Sequence, residues 1–186
     1  MTQAILPEAS AHGRFQPLHN GHMEYLLEAK RRCRFLWVGI TAVDPIAAQR
    51  ARGTAREQPW NNPLSYFERV VIIRGALIDA GLLPSEFACV PFPIEFPETL
   101  SNYVPTALPC LTTICEEWNR QKIRLLESLG YSVTVLYERS SKEISGHQIR
   151  ESVQAGLNSW ETKVPPATVE AVKLLNLRGR LLTLKR

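Results

Sequence analysis

The sequence predicts an α/β chain, a Rossmann-like doubly wound parallel sheet of about five strands in a single domain, and three observations carry that expectation. Short apolar runs bounded by turn residues alternate with segments of helical periodicity, the pattern of repeated strand–helix units. One run, Phe35-Leu-Trp-Val-Gly-Ile-Thr41, is almost continuously apolar, as suits a strand covered on both faces of a parallel sheet. The 186 residues, 45% hydrophobic and 22% charged, suffice for one ordinary core and show neither an internal repeat nor a second domain.

In chain order, residues 8 to 13 (Glu-Ala-Ser-Ala-His-Gly) are the first strand if the loop after them holds a phosphate. Their β propensity is poor and Pro7 precedes them, but their small side chains allow close packing. Met23, Leu26 and Leu27 against Glu24, Glu28 and Arg31 predict a helix beginning near Met23, and Phe35 to Thr41 the second strand. From Ala42 to Asn61 the pattern fails, with Pro45, Gly53 and Pro59 among Arg50, Arg52 and Arg56. An exposed loop is expected there, either a lid that orders over a bound phosphate or a solvated surface excursion. Asn62-Pro63 reads as cap and first-turn proline of a helix carried by Leu64, Phe67, Val70, Val71 and Leu77 to Gly81. Residues 87 to 92 predict a third strand, and five prolines between Pro91 and Pro109 exclude a long regular element. Leu111 to Cys115 is a fourth strand, Trp118 to Leu129 a helix closed by Gly130, and Tyr131 to Tyr137 a fifth strand. Ser145 caps a helix to about Ala155, and the C-terminal helical segment, about 157 to 186, holds one amphipathic helix from about Ala167 to Leu175.

The chemistry concentrates in Gly13-Arg-Phe-Gln-Pro-Leu-His19-Asn-Gly-His22. His19 to His22 occupy the approach to a helix and its first turn, where unpaired N–H groups and the dipole favour an anion. His19 and His22 are three apart and can face one ligand, Gly21 leaves the backbone uncovered for a phosphate, and Arg14 adds a planar cation. Two such histidines could instead ligate zinc, but neither Glu24 nor any cysteine stands at a familiar metal spacing. No protein metal site is expected. A second stretch, Ile144-Ser-Gly-His-Gln-Ile-Arg150, opens the helix after the fifth strand. Ser145 can cap that helix or offer its hydroxyl to a phosphate, and Arg150 can reach back to the same anion. Loops at the carboxyl ends of a doubly wound sheet share one cleft, so the two motifs should meet.

Cys33, Cys89, Cys110 and Cys115 show no paired-ligand spacing and are expected to be reduced thiols. No apolar run approaches the roughly 20 residues of a membrane span, and Met1-Thr-Gln-Ala-Ile-Leu-Pro lacks the basic start and long apolar stretch of a signal peptide. A cytoplasmic protein with no membrane partner is expected. The net charge of +4 suits an anionic small substrate. Lys173, Arg178, Arg180, Lys185 and Arg186 fit a solvated helix face better than a nucleic-acid surface. A homo-oligomer is the expected assembly.

Gly13-Arg-Phe-Gln-Pro followed by His19-x-Gly-His22 resembles the first signature, with its HxGH motif, of the nucleotidylyltransferase superfamily, in particular the archaeal-type nicotinamide mononucleotide (NMN) adenylyltransferases. Ile144 to Arg150 is similar to that family's Ile-Ser-Gly-Thr-x-Ile-Arg, with His147 in place of the threonine. Asn62-Pro63 with Glu68-Arg69, Asn119, Leu129-Gly-Tyr-Ser-Val133, Trp160, Val164-Pro165 and Arg180-Leu181 are further similarities. The family usually carries a tryptophan between 91 and 103 that stacks on nicotinamide; here Phe96 or Tyr103 would have to stand in. The segment 42 to 61, with Asp44, is also unlike the family's shorter loop.

The resemblance implies nucleotidyl transfer from ATP to a phosphate-bearing acceptor, NMN by preference, giving NAD and pyrophosphate, with Mg²⁺ bridging phosphate oxygens. It implies His19 and His22 at the α- and β-phosphates, Arg14 near the reacting centre, and Ser145 and Arg150 on the departing phosphates. Gly13, Phe15, Gln16, Gly21, Gly146, His147 and Ile149 complete the expected nucleotide site, with Phe96, Tyr103 and Asn119 toward the acceptor. Two other readings stay open: a cytidylyl- or adenylyltransferase acting on another phosphate or phosphonate, and a non-catalytic nucleotide-binding regulator.

Overall fold

A computed structural model describes residues 5–52, 57–140 and 143–184. Its sheet has five parallel strands in the order β3-β2-β1-β4-β5, formed by β1 (Leu6–Gly13), β2 (Cys33–Ile40), β3 (Phe87–Pro91), β4 (Cys110–Ile114) and β5 (Val133–Glu138). Seven helices lie among the described residues: α1 (Asn20–Arg31), α2 (Pro45–Arg52), α3 (Tyr66–Asp79), α4 (Glu117–Ser128), α5 (Gly146–Gln154), α6 (Pro166–Leu174) and α7 (Leu177–Leu184). None is long and apolar enough to cross a membrane. The chain doubles back between β1 and β4, the switch point at which ligands of such sheets bind.

The poor β propensity of β1 is overridden because it is central. It pairs with β2 from Leu6↔Cys33 to Gly13↔Ile40 and with β4 at Ser10↔Cys110 and Ala11↔Leu111. Pro7 precedes the β4 pairing, so its missing N–H costs no ladder bond there. Alternation along β1 divides its side chains between two cores. Ala9 and Ala11 join the larger cluster with α1, α3 and the C-terminal helices, and Cys110 beneath Ser10 joins a smaller one with Phe92, Leu100, Val104, Leu126 and Tyr131. The cysteines are free thiols; Cys33 and Cys110 are buried, Cys89 and Cys115 half-buried.

Three elements differ from the sequence expectation. The segment after β2 is not irregular: α2 forms because the Asp44 carboxylate accepts from the N–H groups of Ile46 and Ala47, both at 3.0 Å, with Pro45 opening the helix. Part of the expected loop, residues 53–56 with Arg56 and the Arg52 side chain, lies outside the described positions. α3 starts later than Asn62-Pro63, because Ser65 and Glu68 form a capping box, while Asn62 donates to the Gln58 carbonyl at 3.1 Å. The C-terminal segment holds two helices, since Asn176 takes a positive φ of 45° between α6 and α7. Lys185, Arg186 and the first four residues also lie outside the described set.

α7 is fastened to α3 by Arg180, whose guanidinium donates to both carboxylate oxygens of Glu68 at 2.8 and 2.9 Å and to the Pro63 carbonyl at 2.8 Å. Arg180 holds the Glu68 carboxyl below its ordinary value. A carboxylate depressed in the folded state adds stability above its unfolded pKa, about 4.3, and loses it as pH falls through the folded value. Glu68→Gln should therefore flatten part of the loss of thermal stability below pH ~4.3, measured by melting temperature against pH. An unchanged acid limb would show that Arg180 contributes no net stabilisation there.

Candidate active site

A cavity of about 820 Å³ opens over the carboxyl ends of β1 and β4, walled by the loops after β1, β4 and β5 and by the first turns of α1, α4 and α5. Both sequence motifs line it. His19 is the N-cap of α1, and its Nδ1 accepts from the His22 N–H at 3.3 Å. The His19 and His22 rings stack at 3.6 Å between centroids, with Phe15 edge-on to His22 at 4.9 Å. The expected pair thus forms one parallel stack at the positive end of α1. Phe15, 1% exposed, supports this wall from beneath. Gly21 lies against the His19 ring, where a Cβ would come within 3.3 Å.

The two motifs meet through backbone. Arg150, 6% exposed, donates from Nη1 to the Gln16 carbonyl at 2.6 Å and from Nη2 to Asn61 Oδ1 at 2.5 Å. A Cβ on Gly146 would sit 2.9 Å from that same carbonyl, so only glycine lets the start of α5 approach so closely. Burial pushes Arg150 down to about 10, still a cation at neutral pH. Ser145 spends its hydroxyl on the cap, accepting from the Gln148 N–H at 3.3 Å. His147 is exposed and within 3.2 Å of Glu151, on the cavity's rim.

Several expected contact residues brace the site through backbone groups or lie outside its lining. Gln16 clasps the Leu64 backbone, donating to its carbonyl at 2.7 Å and accepting from its N–H at 2.9 Å. Ile149, 1% exposed, is a core residue outside the cavity lining. Asn119 lines the cavity, but its carbonyl oxygen accepts from the N–H groups of Cys115 and Glu116 at 3.2 and 3.0 Å, bracing the turn into α4. Phe96 and Tyr103 do not line the cavity: Phe96 leads into the short 3-10 turn Pro97–Asn102, and Tyr103, 47% exposed, ends it. That proline-rich stretch offers Ile94 and Glu95 instead.

Other residues complete the site. Arg69 is fully buried and donates to the carbonyls of Ser65, Arg14, Thr41 and Ala42 at 3.2, 2.9, 2.6 and 2.8 Å. It ties the Arg14 loop to the end of β2. Glu95 accepts from the Ala42 N–H at 3.1 Å, fixing that residue at φ 51°. Lys122 and Trp118 reach the cavity from α4, with Lys122 Nζ 5.1 Å from the Trp118 ring centre. Their spacing of four on one helix was the available signal. His12, beneath them on β1, also lines the cavity.

This is a site with two cationic regions: Arg14, Arg150 and the starts of α1 and α5 on one side, Lys122 on the other. A doubly wound sheet with such a cavity at its switch point is a ligand-binding α/β architecture. The chain belongs to the cytidylyltransferase-like family, whose model matches residues 10–152, and it is a nucleotidyltransferase. It is 39% identical over 171 residues to a phosphonoformate cytidylyltransferase from Streptomyces viridochromogenes, covering 91% of this chain and 92% of that one. It is 28% identical over 176 residues to a nicotinamide-nucleotide adenylyltransferase from Ignicoccus hospitalis, covering 94% and 95%. A bifunctional NMN adenylyltransferase/ADP ribose pyrophosphatase from Francisella tularensis, solved with AMP and a manganese ion, shares the fold with a TM-score of 0.69 at 14% identity. That match covers 96% of this chain and 52% of the other, so this chain spans about half its length.

Proposed function

We propose that the enzyme transfers a cytidylyl group from CTP to a compact phosphonate that carries a second acidic group. The observation that carries this reading is Lys122, a cation in the cavity on the face of the sheet opposite α1. A triphosphate engages the region around His19, His22, Arg14 and Arg150, and a second charge on the acceptor is offset by Lys122. The lack of Phe96 and Tyr103 from the cavity lining agrees with an acceptor that has no planar ring. The Streptomyces relative is named for such a substrate.

The chemistry asks for no protein nucleophile. A phosphonate oxygen attacks the α-phosphorus, a P–O bond to the acceptor forms, the bond to the β-phosphate oxygen breaks, and pyrophosphate leaves. The acceptor is already ionised, so no general base is needed. His19 and His22 stabilise charge developing on the α- and β-phosphates, Arg14 orients the reacting centre, and the α5 N-terminus with Arg150 receives the pyrophosphate. Mg²⁺ would arrive with the triphosphate and would supply charge neutralisation to it. Among the described residues four carboxylates line the cavity, Glu24, Glu57, Glu95 and Glu143; Glu24 is paired with Arg139 and Glu95 accepts from the Ala42 N–H.

ATP with NMN is the second reading, favoured by Trp118, a flat ring in the cavity wall on which a nicotinamide can stack. Pyrophosphate release measured for CTP and ATP against carboxylated phosphonates, simple phosphonates and NMN decides between them. CTP with a carboxylated phosphonate should give the highest kcat/KM. Turnover confined to ATP and NMN would replace the first reading with the second.

A further inference from the structure

His12 brings an imidazole with two unpaired nitrogens to the cavity wall. It is 3% exposed, it lines the cavity, and neither ring nitrogen has a hydrogen-bond partner. Burying two polar ring atoms unpaired costs free energy that an apolar side chain at the same place would not. Ser10, two residues earlier on the same face, has its hydroxyl within reach of Cys110 Sγ at 3.3 Å.

The surroundings hold this ring in one place. It lies parallel to Phe92, 4.1 Å between centroids at an interplanar angle of 4°. Gly39 is its register partner on β2, and a Cβ there would stand 2.6 Å from the Phe92 ring and 2.9 Å from His12 Cβ. The stack exists because position 39 is glycine. The His12 backbone is pinned as well: its N–H donates to the Tyr25 hydroxyl at 3.0 Å, and that hydroxyl donates to the Leu111 carbonyl at 2.7 Å. Rigid placement of a polar group by packing is what recognition requires.

Resting on the functional reading above, we propose that His12 is the specificity-determining residue of the acceptor site, donating a hydrogen bond to the acceptor's second acid group on the side of the cavity where Lys122 supplies charge. Burial and the nearby Lys122 both hold the imidazole well below its ordinary value. The ring is therefore neutral at physiological pH, with one N–H to give. A site built around a polar contact discriminates strongly against analogues lacking the matching group, because its own polar atoms are then left unpaired.

The test compares kcat/KM for a carboxylated phosphonate with that for methylphosphonate in wild type, His12→Phe and His12→Asn, alongside the Kd for CTP by titration calorimetry. His12→Phe keeps a flat ring against Phe92 and removes both nitrogens. It should reduce the preference for the carboxylated acceptor by about 10-fold to 100-fold, mainly through KM, with CTP affinity within about threefold of wild type. His12→Asn, which retains a donor, should recover part of the preference; its CTP affinity provides a second folded variant if the phenylalanine form is unstable. Small-phosphonate turnover with a preference that neither variant changes overturns the role of His12 alone. Turnover of NMN with no small phosphonate accepted overturns the functional reading, and the proposal with it.

Discussion

His19→Ala and His22→Ala should each lower kcat by about 10²-fold to 10³-fold, the usual cost of removing one donor to a developing charge, while weakening nucleotide binding much less. The reason is geometric. The two rings form one stack at the start of α1; under the proposed mechanism charge would build there as the bond to the leaving pyrophosphate opens, so their contribution would grow from ground state to transition state. The two variants should also differ. His19 caps α1 through Nδ1, so its loss should cost about 1 kcal/mol of stability in addition, whereas His22 has no cap role. Single-turnover rates with the Kd for CTP measured separately check the first claim, and melting temperatures the second. Near-normal turnover in either variant would return that histidine to a purely structural role.

The placement of these histidines at the start of α1 was legible because the signal is local: two rings, a glycine and a helix start within a few residues leave few arrangements open. The meeting of the motifs was legible from topology, since the loops after β1 and β5 both leave the carboxyl edge of one sheet. Gln16, Arg69 and Asn119 were not legible as bracing residues, because their partners are backbone groups of loops that only the folded chain brings close. α2 was hidden by the helix breakers around it, although Asp44-Pro45 is a cap and first-turn proline. Phe96 and Tyr103, which lie outside the cavity lining, were hard to place for a different reason. In a stretch with five prolines between 91 and 109 no period fixes where a side chain points, so ring chemistry alone could not place them. His12 sits among small residues that read only as tight packing, and its partner Phe92 and spacer Gly39 belong to other elements.

The largest loss of stability should follow Arg69→Met. The guanidinium is fully buried and donates to four carbonyls, those of Ser65, Arg14, Thr41 and Ala42. Burial pushes it down to about 10, with the Glu95 charge acting in the opposite direction, so it stays charged at neutral pH. Methionine fills a similar volume and supplies no donor. Each buried carbonyl left unpaired costs about 1–3 kcal/mol, and partial rescue by water or relaxation brings the expected total to about 3–5 kcal/mol, the range for breaking a buried charged network. Arg69→Lys should fall between, because a single ammonium keeps the charge but cannot span carbonyls from α3, the β1 loop and the end of β2. Urea unfolding measures both variants. Activity should fall further than stability alone explains, since the Arg14 carbonyl is one of the four acceptors and the β1 loop loses its clamp. The folded fraction of Arg69→Lys should therefore show a lower kcat/KM than wild type. A loss below about 1 kcal/mol in Arg69→Met, within the range of an ordinary surface change, would mean that the four carbonyls find other donors and that Arg69 does not hold the catalytic loop.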